Sequence, residues 1–185
     1  MKSFTAGLAL CALFASTCPA EINWTYHPRI HGPEGPESAY VTATVAGREI
    51  RYVPPVKWTV SGGLFIPPGK LQADCFVNAA TIKAPAPWTA DRAKAIHEAA
   101  LAQLIPKGAT NEAIISEGVI PIQIDGQSAY EICMSYAYYG QTYMKAVVFV
   151  EHLTMQLQFH FGSLKNDFAD LHGAFLGSLS SVDGF

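Results

Sequence analysis

The segment from Leu153 to Phe161, LTMQLQFHF, alternates apolar and polar residues without a break. A period of two is the period of a β-strand, whose successive side chains leave opposite faces. It places Leu153, Met155, Leu157, Phe159 and Phe161 on one face and Thr154, Gln156, Gln158 and His160 on the other. A polar row of this kind reads as a solvated or lightly contacted face, at least partly wet. Sheets with one wet face are antiparallel, because parallel sheets are covered on both sides. The chain is thereby constrained to layers built around an antiparallel sheet, with the 154/156/158/160 row expected in contact with water.

The neighbouring segments fit the same plan. AYEICMSYAY (129–138) sets Tyr130, Ile132, Met134, Tyr136 and Tyr138 against Glu131, Cys133, Ser135 and Ala137. A tight turn at Tyr139-Gly140-Gln141 leads into TYMKAVVFV (142–150), and Glu151-His152 turns that strand into the next. EAIISEGVIPIQI (112–124) precedes them, irregular near Gly118 and followed by the turn signal Asp125-Gly126. Upstream, YVTATVA (40–46) and EIRYV (49–53) read as a hairpin about Gly47-Arg48. Pro54-Pro55 ends it, and KWTVSGGLFI (57–66) and ADCFVNAATI (73–82) follow.

Two stretches carry the helical period. After Thr89, a suitable N-cap, Ala93, Ile96, Ala100, Leu101 and Leu104 form one stripe, stopped by Pro106 and Gly108. Phe168, Leu171, Phe175 and Leu179 form a second, with Ser163 or Asn166 expected to cap it. Strands, a helix, about four strands and a helix make an α+β fold, an antiparallel β-sheet with helices packed on it.

The N-terminus has the three parts of an export signal: Met1-Lys2, an apolar run at 6–15, and small residues before Glu21. At about ten residues the run is too short for a membrane-spanning helix, which needs about 20. Residues 1–20 are therefore expected to be a signal peptide, 21–39 an irregular N-terminal arm and 40–185 one domain. Lipid attachment at Cys18 is disfavoured because Thr17 precedes it. The expected location is periplasmic or secreted, with the cleaved chain soluble. Cys75 and Cys133 then remain as a candidate disulfide in an oxidising compartment, with buried free thiols as the alternative.

The sequence selects no catalytic residue, cofactor or metal ligand. There are 12 basic and 15 acidic residues and no basic run, which argues against nucleic acid as a partner. No phosphate-binding glycine motif or GxSxG elbow occurs, and His27 and His31 in HPRIH lack the helix and the glutamate of HExxH. Tyrosines crowd one hairpin instead. Tyr138, Tyr139 and Tyr143 fall at or beside its turn, where core packing explains them least, and they form a candidate binding surface.

Five segments together resemble a known group: YVPPVKW (52–58), TADRAKAIHEAALAQLI (89–105), DGQSAYEICMSY (125–136), LQFHFG (157–162) and NDFADLHGAFLGSLSSV (166–182). The chain resembles the Mog1/PsbP-like fold group, in particular its small exported bacterial members of uncharacterised or accessory role. The resemblance implies an α/β/α sandwich and a non-enzymatic role in binding or assembly. The expected function is thus an exported, non-catalytic accessory protein that contacts an unknown protein or envelope component. A periplasmic small-molecule or lipid binder is one alternative and requires an apolar pocket between sheet and helix. A hydrolase is another and requires histidines, serines or carboxylates to converge in a cleft. Oligomeric state is not encoded in any motif.

Overall fold

The computed structural model describes residues 20–28, 31–32, 35–36, 39–70 and 72–185; the expected signal peptide lies outside them except for its last residue. The described residues open with four short strands, β1 (Ala20–Glu21), β2 (Thr25–His27), β3 (His31–Gly32) and β4 (Gly35–Pro36). Two hairpins follow, β5 (Tyr40–Val45) with β6 (Arg48–Tyr52) and β7 (Thr59–Ser61) with β8 (Leu64–Ile66), and then β9 (Asp74–Thr81). Helix α1 (Ala90–Gln103) leads to β10 (Thr110–Ile124), β11 (Gln127–Tyr138), β12 (Gln141–His152) and β13 (Met155–Leu164), and α2 (Lys165–Leu179) follows them.

The main sheet runs in the order β10-β11-β12-β13-β9-β8-β7, with β1 also paired to β9, and every pairing in it is antiparallel. A second sheet, β2-β5-β6, lies on one face of the first. The turns explain the register. Ala46-Gly47, Gly62-Gly63, Asp125-Gly126 and Tyr139-Gly140 all have positive φ at both central positions, the conformation of two-residue hairpin turns whose twist matches the strands. KWTVSGGLFI is therefore a hairpin about its two glycines, not one interrupted strand.

Each face of the main sheet has its own core. On one face Ile96 and Ala100 of α1 pack against Tyr130, Ile132, Met134, Tyr136, Val147 and Phe149. On the other, Phe168, Phe175 and Leu179 of α2 and Val41, Ile50 and Tyr52 of the small sheet pack against Cys75, Val148, Leu157, Phe159 and Phe161. The result is the expected α+β sandwich, an antiparallel β-sheet between helices. Ile22 lies in the second core and β2 pairs with β5, so this part of the N-terminal arm is built into the fold. The serines near the end of α2 anchor it. Ser178 Oγ lies 2.7 Å from Tyr52 Oη, and Ser181 Oγ accepts from the Val53 amide at 3.0 Å.

Several expectations are corrected. The polar row of β13 is dry: Gln156 and His160 are only 1 % and 3 % exposed, and Gln158 is buried as well. They lie on the α1 face, where the sequence pattern predicted water. Leu153 is the reverse case, a turn residue at φ +54 and 55 % exposed. Neither Ser163 nor Asn166 caps α2; Leu164 precedes it without a side-chain cap, because β13 runs directly into the helix. Thr89 does cap α1, its side chain accepting from the Arg92 amide.

The Cys75–Cys133 disulfide is not formed, and both thiols are free and buried. The register gives the reason. Cys75 pairs with Phe161, Phe161 with Ala146, and Ala146 with Cys133. Three strand spacings, about 14 Å, separate the two cysteines. A disulfide needs Cα atoms about 4.4–6.8 Å apart.

Gln156 and Gln158 of the dry row are satisfied in series. Arg92 of α1 forms an ion pair with Glu151 of β12 and also donates to the Ala86 carbonyl. The Ala86 amide donates to the same carboxylate at 3.2 Å, Gln156 donates to it at 2.7 Å, and Gln158 donates to Gln156 at 2.7 Å. The Arg92 guanidinium also lies 3.9 Å from the Trp88 ring centre. Removing one member of a buried ion pair strands the other. Glu151→Ala is expected to cost about 3–5 kcal/mol in urea unfolding. The double change R92A/E151A should cost at least about 0.5 kcal/mol less than the two single changes added together. Strict additivity would show that the pair is not coupled.

Candidate functional site

At the end of the sheet nearest the β11–β12 turn lies a cleft of about 380 Å³, lined by Leu64, Ile66, Asp74, Tyr136, Tyr143 and Gly162 among others. Its shape follows from pairing. Asp74 and Lys145 both pair with Gly162, so a position without a side chain separates them on β13. A Cβ at Gly162 would come within 3.4 Å of the Asp74 carboxylate. Tyr136 and Tyr143, cross-strand partners, stack with centroids 5.7 Å apart and planes inclined at 12°. The cleft thus combines an aromatic pair, a carboxylate and two aliphatic side chains.

The predicted tyrosines divide between the cleft and its rim. Tyr143 lines the cleft, while Tyr138 and Tyr139 lie at the turn with ring centroids 4.3 Å apart. Tyr139 is 87 % exposed and occupies φ +47. That left-handed conformation favours Gly, Asn or Asp and costs a side chain such as Tyr about 1–3 kcal/mol. Tyr136 was placed on the right face by alternation, but its share in the cleft depends on β8 and β9 arriving beside it, which no local pattern encodes.

Charge behind the cleft is held in a dry setting. Lys145 donates from Nζ to the Leu104 carbonyl at 3.1 Å. It thereby supplies the cation that the last turn of α1 lacks among its own residues. Burial pulls the Lys145 amine below its ordinary value, with Asp74 opposing. Burial raises the Asp74 carboxyl, with Lys145 opposing. His160 stacks on Phe76 at 4.5 Å and lies beside Asn78, whose amide nitrogen is 3.4 Å from His160 Nε2. Among the described residues His160 Nδ1 has no partner.

The other candidate groups go to different places. His27 bonds Thr42 at 2.8 Å and stacks on Tyr40; the side chain of His31 lies outside the described residues. His97 pairs with Glu117 at 3.1 Å, and His172 pairs with Glu131 at 2.7 Å. His152 ends β12 while His160 lies within β13, so the two do not share a strand. Burial, then the Glu131 charge, push the Cys133 thiol up to about 12, and burial pushes Cys75 well above its ordinary value. Neither thiol is an activated nucleophile at neutral pH. Ser178 is committed to Tyr52 and to the Phe175 carbonyl. On the α1 side the helix–sheet contact is filled by side chains such as Ile96, Ile132, Met134 and Val147, which leaves the pocketed small-molecule alternative without support at that interface.

No protein-family model matches the sequence, and no curated protein matches it. Solved structures do match. LpqN, involved in cell envelope biogenesis of Mycobacterium tuberculosis, is 14% identical with a TM-score of 0.54, over 89% of this chain and 91% of that one. PA94, a Pseudomonas aeruginosa protein of unknown function, is 16% identical with a TM-score of 0.51, over 77% of this chain and 94% of that one. The cyanobacterial PsbP of Synechocystis is 13% identical with a TM-score of 0.47, over 92% of this chain and 99% of that one. At these identities the likeness, carried by LpqN and PA94, is one of fold alone, an α+β sandwich about an antiparallel sheet.

The buried imidazole sets a pH dependence. Burial, then the Lys145 charge, lower His160 to about 3. In the unfolded chain a histidine takes its proton near pH 6.5. Between those values the unfolded state binds more protons, so stability is full above about pH 6.5 and falls as pH falls through the window. Asp74, raised in the fold, acts in the opposite sense over the carboxylate range. His160→Phe keeps an aromatic ring on Phe76 and removes the titration. Between pH 6.5 and 5 it should flatten the plot of unfolding free energy against pH by up to about 1.4 kcal/mol per unit. An unchanged slope would mean that His160 titrates freely in the folded protein.

Proposed function

We propose that this chain is an exported, non-catalytic accessory protein that contacts a protein or envelope component through the tyrosine-lined end of its sheet. One observation carries the reading: Tyr139, a large aromatic, is held in solvent at a backbone position that disfavours it, beside the aromatic cleft of Tyr136 and Tyr143. The two-residue turn requires that backbone conformation but not a tyrosine in it, and a tyrosine there presents a rigid amphipathic ring to a partner. Tyr138, Tyr139 and Tyr143 are the proposed contacts, with Asp74 as the polar group of the adjoining cleft.

Export rests on the N-terminal signal pattern, with the periplasm or the medium as its destination. The involvement of LpqN in cell envelope biogenesis lends support to an envelope component as partner, through shared fold only. Neither buried thiol nor any serine named above is arranged for attack on a substrate, which favours binding over catalysis.

Affinity capture from the organism's own envelope fraction, read by quantitative mass spectrometry, tests this. A specific partner should be retained by the natural protein and reduced at least about tenfold in Y139A/Y143A, with thermal stability kept. Loss of about 1.4 kcal/mol of contact energy gives that factor. Equal retention by both proteins would move the contact surface elsewhere. Recovery of a lipid in place of a protein would favour the ligand-binding alternative.

A further inference from the structure

On the sheet face opposite α1, β11 presents a carboxylate where its neighbours are apolar. Glu131 pairs with Val148, which pairs with Phe159, and Glu131 is buried. A carboxylate in such a row is costly unless compensated. Cys133 lies two residues on, so its thiol leaves the same face. α2 crosses that face and brings in His172, whose ring stacks on Phe168 at 4.7 Å and 17° and is thereby oriented. One ligand atom from each of Glu131, Cys133 and His172 lies within 4.8 Å of the other two. The 2.7 Å ion pair joins Glu131 to His172, and the Cys133 thiol is itself hydrogen-bonded to the side chains of Glu131 and Ser116, so all three donors converge on one point.

We infer that Glu131, Cys133 and His172 form a binding site for a zinc-class divalent ion. The donor set decides the class. A thiolate, an imidazole and a carboxylate suit a borderline-soft transition ion, whereas calcium and magnesium take oxygen ligands. Tetrahedral zinc with bonds of about 2.0–2.3 Å holds its ligand atoms about 3.3–3.7 Å apart. No gap among the three exceeds 4.8 Å, so the widest needs to close by only about 1 Å, while the His172–Glu131 pair, at 2.7 Å, must open by about 0.6 Å; rotation about the χ angles provides both. On binding, the ion takes the place of the Cys133 thiol proton, which passes to solvent, and breaks the His172–Glu131 hydrogen bond, the neutral imidazole coordinating through Nε2 with its hydrogen carried on Nδ1.

The fourth position faces the sheet edge. Gly118 pairs with Glu131 on the edge strand β10, and a Cβ built there meets nothing within 4 Å. The side chains of His172 and Glu131 keep 18% and 11% of their exposure. Water, or a donor atom from a partner, can therefore complete the coordination, as in three-ligand zinc sites that keep an open position. The site lies on the face of α2 and is independent of the tyrosine cleft.

The test uses the untagged protein as recovered from cells, stripped with chelator, reduced, and dialysed against Zn²⁺. Bound metal is read by mass spectrometry. One ion per chain is expected, unaffected by excess Mg²⁺ or Ca²⁺. Affinity should fall at least about 100-fold in C133S and in H172A, since loss of a supporting outer-shell group alone costs 10–100-fold. Zinc uptake that C133S and H172A leave unchanged would overturn the inference, as would no uptake at all. If either variant fails to fold, Co²⁺ substitution of the natural protein decides. A sulfur-to-cobalt charge-transfer band is expected, and a cobalt spectrum without one would overturn the site.

Discussion

The structure depends on keeping a polar row dry. β13 carries Leu157, Phe159 and Phe161 toward α2 and Gln156, Gln158 and His160 toward α1, and both sides are buried. An apolar row needs only to be covered, whereas a polar row in the same position must also be satisfied. The chain Arg92–Glu151–Gln156–Gln158 does this for the two glutamines, and it begins on α1 itself. The contact that neutralises the buried carboxylate therefore also docks the helix. Through Ala86 it fixes the connector into α1 as well, and Lys145 ties the other end of that helix through the Leu104 carbonyl.

Much of this was legible in the sequence where the determinants are local. Periodicity located all four long strands, the sides of β11 and both helices, and Thr89 announced the start of α1. What failed were inferences about cover. Alternation records which side chains are polar, not what lies above them, and the element above Gln156 and His160 comes more than 50 residues earlier in the chain. The period runs through Leu153, but the two-residue turn before β13 claims the first residue of that run. Equal chemistry misled in the same way for Cys75 and Cys133. Their shared row was unreadable without the register of the two strands between them.

The candidate sites show the same division. Tyr138, Tyr139 and Tyr143 could be picked out because a turn is a local feature and large aromatics are unusual there. Tyr136, Asp74 and Gly162 could not, since β8, β9 and β13 must assemble before they share a cleft. The convergence of His172 on Glu131 and Cys133 was likewise hidden by their separation along the chain. Its one local trace is the Glu-x-Cys spacing on a strand whose other side is apolar.

With α1 on one face of the sheet and α2 with the small sheet on the other, an incoming partner is directed to the ends and edges. The end formed by the β11–β12 hairpin offers an exposed, conformationally strained aromatic, a stacked pair and a carboxylate together. Nuclear magnetic resonance of the isotope-labelled protein, titrated with solubilised envelope extract, maps contact directly. Selective broadening of the resonances of Asp74, Tyr136 to Tyr143 and Gly162 is the expected result. Broadening centred instead on α2 or the β2-β5-β6 sheet, with the hairpin resonances unmoved, would contradict the assignment of that end as the contact surface.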